Sequence, residues 1–156
     1  MSFPERVYTA QEHEDAKKLV DQGYKHNITV QGEPDFKRKV EAALELIGTA
    51  GYMDFFKSYI RDIKELDGLT QLRETEVAIW ANKYAVENPV DAASLFIQKA
   101  YSMKEYLEGE LYYGGAAEKR SILKRIEFLQ ALKQKSTDAK VKEESSRLLD
   151  LWQDNF

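Results

Sequence analysis

The sequence contains no cysteine, and this absence excludes several classes of chemistry. Disulfide frameworks, thiolate metal sites and cysteine nucleophiles all require the missing side chain. No run of about 18 apolar residues is present that could span a membrane. Residues 1–10 lack the basic and apolar regions of a secretory signal, so a cytoplasmic location is expected.

Recognisable catalytic motifs are also missing from the sequence. It has no glycine-rich phosphate loop, no Gly-x-Ser-x-Gly elbow, no His-Glu-x-x-His pair and no dinucleotide fingerprint. The two histidines, His13 and His26, do not supply the paired Glu-x-x-His motifs of a di-iron helical bundle. We therefore expect no metal site and no cofactor, and a non-enzymatic role is the first hypothesis.

The composition is nevertheless that of a folded protein. Of the 156 residues, 43% are hydrophobic and 32% are charged, which argues against disorder. A chain of this length fits one domain. The predicted domain covers residues 1–156, with an irregular lead at 1–8 and a fraying end at 154–156.

Hydrophobic periodicity predicts an all-α fold. Apolar residues recur at helical spacing in seven segments, which capping and breaking residues separate. Short connections predict a compact bundle of about six to seven helices whose neighbours are mostly antiparallel. The predicted helices cover residues 10–22, 34–48, 52–66, 71–87, 89–109, 116–135 and a last segment that begins after residue 138.

The segment 71–87 is interpreted as the central helix, because its run 77–86 is the most apolar helix-compatible stretch. One side of this helix would carry a set of candidate ligand-binding residues. If that side lined a groove, its charges and aromatic rings could hold a polar ligand, and a carboxylate or an ammonium could act as acid or base. The commoner explanation is a solvated helix flank with intrahelical ion pairs. The candidates are Arg73, Glu76, Trp80, Lys83 and Tyr84.

The connector 23–34 contains a short β-prone stretch, Ile28 to Val30. No obvious partner strand is found elsewhere, so we expect an extended loop. An exposed strand at this position could pair with another chain.

Nine tyrosines are present, and four of them cluster near the fifth predicted helix: Tyr101, Tyr106, Tyr112 and Tyr113. Tyrosine is enriched in protein interfaces, although it also caps ordinary cores. Glutamates are interleaved with these tyrosines, whereas a nucleic-acid platform places aromatic rings among cations. If this region is exposed, a protein partner is the better interpretation.

The net charge is −4, but residues 118–147 contain nine Lys and Arg against five Asp and Glu. Arg120, Lys124 and Arg125 are expected to face water or a partner from the sixth helix. An acidic partner or nucleic acid could bind there, while a solvated helix face is the commoner case.

Three functional hypotheses follow from these observations. The first is a non-enzymatic helical module for protein–protein interaction or self-association. The second is a small-ligand-binding protein or an enzyme that uses the polar and aromatic side of the central helix. The third, less favoured, is nucleic-acid binding through the basic sixth helix. No membrane association is expected.

Overall fold

The computed structural model describes residues 9–23 and 25–154, and it contradicts the all-α expectation. Within these residues, a four-stranded mixed sheet accompanies six α-helices, so the fold is α/β. The predicted lead 1–8 and the last two residues of the predicted fraying end lie outside the described residues. The elements are α1 (Ala10–Asp21), β1 (Thr29–Gln31), α2 (Pro34–Thr49), α3 (Met53–Tyr59), β2 (Asp62–Glu65), β3 (Gln71–Arg73), β4 (Ala78–Ala81), α4 (Pro89–Leu107), α5 (Gly115–Lys135) and α6 (Ala139–Asp154).

The segment 71–87 is not the predicted central helix. It forms β3, a 3-10 turn at Glu74–Glu76, then β4 and a second 3-10 turn at Lys83–Val86. Val77 has a φ of +53°, a left-handed conformation that interrupts any helix and that β-branched residues rarely adopt. Three of the four side chains of β4 are buried. A strand that is this short and this buried cannot be distinguished from a helix by its hydrophobic periodicity.

The other two strands are β2, which lies where the sequence predicts a helix, and β1, which lies where it predicts a loop. The predicted third helix, 52–66, ends as α3 at Tyr59, and its last part forms β2. The connector expected to be an extended loop contains β1, which pairs with β2 so that Val30 lies opposite Ile63. The loop prediction is wrong because the partner strand, β2, lies in a segment whose hydrophobic periodicity predicts a helix.

The strand order is β1-β2-β4-β3, with β1, β2 and β4 parallel and β3 antiparallel to β4. Ile63, Ile79 and Leu72 lie side by side across the sheet and are buried on its inner face. Lys64 and Trp80, one position further along their strands, point to the outer face. Because β1, β2 and β4 run parallel, their carboxyl ends meet at one end of the sheet.

The helical predictions outside the sheet are confirmed. α1, α2, α4 and α5 match the predicted segments within two residues at each end, and α6 begins directly after residue 138. Thr9 and Glu12 form both hydrogen bonds of a capping box at α1, and Asn88 accepts from two backbone N–H groups at the start of α4. α2 packs on α4, while α4, α5 and α6 pack in succession. No described helix combines the length and the hydropathy of a bilayer-spanning segment.

Candidate functional site

The five candidate ligand-binding residues fall into two separate groups. Arg73 and Trp80 lie on the outer face of the sheet, where the guanidinium carbon is 4.1 Å from the centroid of the indole ring. Glu76 pairs with Arg73 at 3.5 Å, on the same side. Lys83 and Tyr84 lie in the 3-10 turn after β4, with the ammonium 5.2 Å from the phenol ring. The set therefore does not line one pocket.

Arg125, predicted to face water or a partner, is instead buried between helices. Its guanidinium donates to Ser94 Oγ at 2.8 Å, to Gln98 Oε1 at 2.8 Å and to Asp91 Oδ1 at 2.7 Å, and its carbon lies 4.5 Å from the Trp152 ring. Burial lowers the pKa of this guanidinium, and the Asp91 carboxylate opposes that shift. Arg125 joins α4, α5 and α6, so it is not available to a partner.

Arg120 is also committed to contacts within the chain. Its Nε donates to Glu105 Oε2 at 2.6 Å, and its Nη2 donates to the Leu111 carbonyl at 2.9 Å. The hydrogen bond to Glu105 raises the pKa of the Arg120 guanidinium. Glu105 is only 1% exposed, so this pair ties Arg120 to α4 and to the loop between α4 and α5, although the Arg120 side chain remains 40% exposed.

Three of the four clustered tyrosines form a group near α1 rather than an open surface. Tyr106 is buried and packs at 5.0 Å from the His13 ring and 5.4 Å from the Tyr112 ring. The Tyr112 hydroxyl donates at 2.6 Å to Glu74, which is fully buried. Tyr113 contacts Tyr112 edge-on at 5.4 Å. These rings close the core beside the Glu74–Glu76 turn.

Tyr101 lies on a different side of α4, with aromatic residues that the sequence interpretation did not connect to it. Lys124 places its ammonium 5.6 Å from the Tyr52 ring, 5.1 Å from Phe55 and 6.0 Å from Tyr101. Tyr59 packs at 5.4 Å from Phe55, and Lys104 lies 5.9 Å from the Tyr101 ring. We name this partly exposed group, formed by Tyr52, Phe55, Tyr59, Tyr101, Lys104 and Lys124, the aromatic–lysine face.

Two glutamates complete the charges of the aromatic–lysine face. Glu127 accepts from Lys124 at 3.0 Å and from the Tyr52 hydroxyl, and Glu108 accepts from Lys104 at 2.8 Å. Burial alone would raise the pKa of Glu127, but the Tyr52 and Lys124 hydrogen bonds outweigh it and lower that pKa. Burial and the Glu127 carboxylate both raise the pKa of Tyr52. The sequence signal for this face is the spacing of Tyr52, Phe55 and Tyr59. They are three and then four residues apart, which places them on one side of a helix.

A second candidate site lies at the carboxyl ends of β1, β2 and β4, where ligands usually bind in open α/β sheets. A groove of about 410 Å³ opens there. We name it the acidic groove, because three carboxylates and one ammonium line it. Its lining residues are Gly32, Glu33, Glu65, Leu66, Asp67, Asn82 and Lys83.

The wall of the acidic groove beside β1 is formed by backbone. Gly32 has a φ of +154°, and a Cβ atom there would lie 2.8 Å from both Glu65 and Phe36. The Glu33 N–H donates to Glu65 Oε1 at 2.9 Å, which joins the loop after β1 to the end of β2. The sequence signal that was missed is a glycine directly after the β-prone stretch at 28–30.

Neither histidine belongs to a metal-ligand cluster in the described part of the chain. The Nε2 atom of His26 lies 2.7 Å from the Lys57 carbonyl oxygen, and His13 packs on Tyr106. Across residues 9–23 and 25–154, no three His, Cys, Asp or Glu side chains are positioned to hold a metal ion.

No protein-family model, curated protein or solved structure matches this chain.

Proposed function

We propose that the protein is a non-enzymatic interaction module that self-associates through the aromatic–lysine face. One observation carries the proposal. Four aromatic rings from α3, α4 and the residue before α3 lie together, partly exposed, around two lysines. Aromatic side chains provide most of the binding energy at many interfaces, because they bury a large area with few rotatable bonds.

The charges of this face favour a second copy of the same chain as the partner. Lys104 pairs with Glu108, and Lys124 pairs with Glu127, so positive and negative groups alternate. In a two-fold symmetric dimer the same surface meets itself, which requires self-complementarity. Lysines and glutamates that already lie in pairs can exchange partners across such an interface without net repulsion.

The other two hypotheses receive less support from the geometry. Each cation proposed to contact nucleic acid is already bonded to a carboxylate, Arg120 to Glu105, Lys124 to Glu127 and Arg125 to Asp91. Phosphate binding would have to break those pairs. The ligand-binding set is divided between the outer sheet face and the carboxyl end of the sheet, so it offers no combined acid and base.

Sedimentation equilibrium tests the proposal directly. We expect the average mass of the wild-type protein to rise toward that of a dimer between about 10 µM and 1 mM, the range of a weak interface. Lys124→Glu should abolish the increase, because it places two carboxylates together on the face. Tyr101→Ala should reduce the increase, because it removes ring contact area.

Tyr84→Ala is the matched control, since this exposed tyrosine lies outside the aromatic–lysine face. It should leave the mass profile unchanged. A wild-type protein that stays monomeric over the whole range, or a Tyr84 variant that dissociates as much as the Tyr101 variant, would contradict the proposal.

A further inference from the structure

We infer that the acidic groove binds a positively charged, partly apolar segment of a partner protein. In this complex a Lys or Arg side chain enters the groove, and an adjacent apolar residue packs on Leu69 and Tyr84. This inference goes beyond self-association, because the groove lies on strand ends while the aromatic–lysine face lies on helices.

The charge of the groove favours a cationic partner. Glu33, Glu65 and Asp67 form no ion pair among the described residues. Nearby Asp35 and Glu87, by contrast, are both neutralised by Lys39, at 2.9 and 2.6 Å. Three carboxylates face a single lining ammonium, that of Lys83, so the groove is complementary to a cation.

Exposed apolar side chains lie in the turns beside the groove. Leu69 is 88% exposed and Tyr84 is 71% exposed, the two highest values among the large hydrophobic side chains of the described chain. Leu69 lies in the turn after β2, and Tyr84 lies in the turn after β4. Exposed apolar side chains that flank a polar cavity mark interaction sites more often than scattered ones do.

Asn82 joins the two turns by hydrogen bonds. Its side-chain amide donates to the Gly68 carbonyl at 2.8 Å, and its backbone N–H donates to Thr70 Oγ1 at 3.0 Å. Its side-chain oxygen accepts from the Tyr84 N–H at 2.8 Å. The backbone on both sides of Leu69 and at Tyr84 is therefore held before a partner arrives, which lowers the entropic cost of binding.

The same features argue against other occupants. The lining carboxylates are not placed as a metal-ligand set, since no such set occurs in the described residues. A phosphate group would meet three carboxylates, so nucleic acid is disfavoured. A protein segment with alternating basic and apolar residues matches both the charge of the groove and the exposed apolar side chains of Leu69 and Tyr84.

Fluorescence anisotropy with labelled peptides tests this inference. The probe is an acetylated ten-residue peptide of alternating Lys and Leu with terminal Gly residues, and the comparison peptides replace Lys by Glu or Leu by Ser. The wild-type protein should bind the Lys/Leu peptide about tenfold more tightly than either comparison peptide. Equal binding of the Glu/Leu peptide would overturn the inference.

Paired variants locate the binding site. Glu33→Gln combined with Asp67→Asn removes two exposed charges from the groove and should weaken binding about tenfold. The matched control, Glu41→Gln with Glu143→Gln, removes two exposed charges elsewhere and should leave binding unchanged. If both double variants bind alike, the attraction is non-specific and the inference fails.

Two further variants separate this site from the proposed function. Leu69→Ser should weaken binding of the Lys/Leu peptide, and if it has no effect the apolar half of the inference is wrong. Tyr101→Ala, on the aromatic–lysine face, should bind the peptide like the wild type even though its self-association is reduced. Loss of peptide binding in Tyr101→Ala would show that the peptide binds elsewhere.

Discussion

Arg125 is a cation with a structural role, because its charge is used within the fold and not to bind a partner. The sequence places it beside Arg120 and Lys124 in a basic stretch, which favours a solvated position. The structure leaves it 5% exposed, bonded to three side chains of α4. Sequence periodicity does not show which cation of a cluster points inward, because the answer depends on Asp91 of another helix.

Arg125→Met should therefore destabilise the fold by about 2–4 kcal/mol, because it leaves Ser94 and Asp91 without their donor. Urea unfolding measures this change. Arg147→Met is the matched control, since Arg147 is an exposed cation paired with Glu144 on α6. Its midpoint should stay close to that of the wild type. Equal destabilisation by the two variants would contradict the structural role of Arg125.

Two glycines test the placement of β1 and of α2. Gly32→Ala, after β1, should destabilise the fold by about 1–3 kcal/mol, because its Cβ would collide with Glu65 and Phe36. Gly48→Ala, within α2 and with open space around it, should stabilise the fold by about 0.5–1 kcal/mol. Thermal unfolding of both variants measures the contrast. A stabilising Gly32→Ala would contradict the close approach of β1 and β2.

Glu127 on α5 accepts a hydrogen bond from Tyr52, the residue before α3, and pairs with Lys124 on its own helix, and its pKa lies below the ordinary value of 4.5. A carboxylate whose pKa is lowered by folding stabilises the protein above its unfolded-state pKa. This stabilisation is lost as the pH falls through the folded-state pKa. Glu127→Gln should therefore lose less stability than the wild type between about pH 5 and pH 3. Parallel acid unfolding curves for the two proteins would contradict this contact.

Five of the six described helices were predictable from the sequence, whereas α3 was predicted too long and the sheet was not predicted. Thr9 with Glu12, and Asn88 with Pro89, are local signals that specify a helix start without reference to the rest of the chain. β2 and β4 are four residues long, and their apolar positions fit a helix equally well. Only pairing with distant strands distinguishes these possibilities, and pairing is not a local property of the sequence.

Because the sequence does not predict the sheet, it also does not predict where the candidate sites lie in the molecule. If residues 71–87 formed a helix, Arg73 and Tyr84 would share one side of it. In the structure this segment forms two strands and two 3-10 turns, which place the two residues on different surfaces. The acidic groove could not be predicted, because its carboxylates lie at the ends of β1 and β2 and its lysine follows β4, and the sequence predicts none of these strands. Tyr101 and Lys124 do lie together, but their aromatic neighbours come from α3 and from the residue before it.

The most direct test of self-association is a dilution series followed by two-dimensional amide and side-chain NMR. We expect concentration-dependent shifts to concentrate at Tyr52, Phe55, Tyr59, Tyr101 and Lys124, with Leu69 and Tyr84 unchanged. Spectra that do not change with concentration, or shifts confined to the acidic groove or the outer face of the sheet, would contradict the proposed interface.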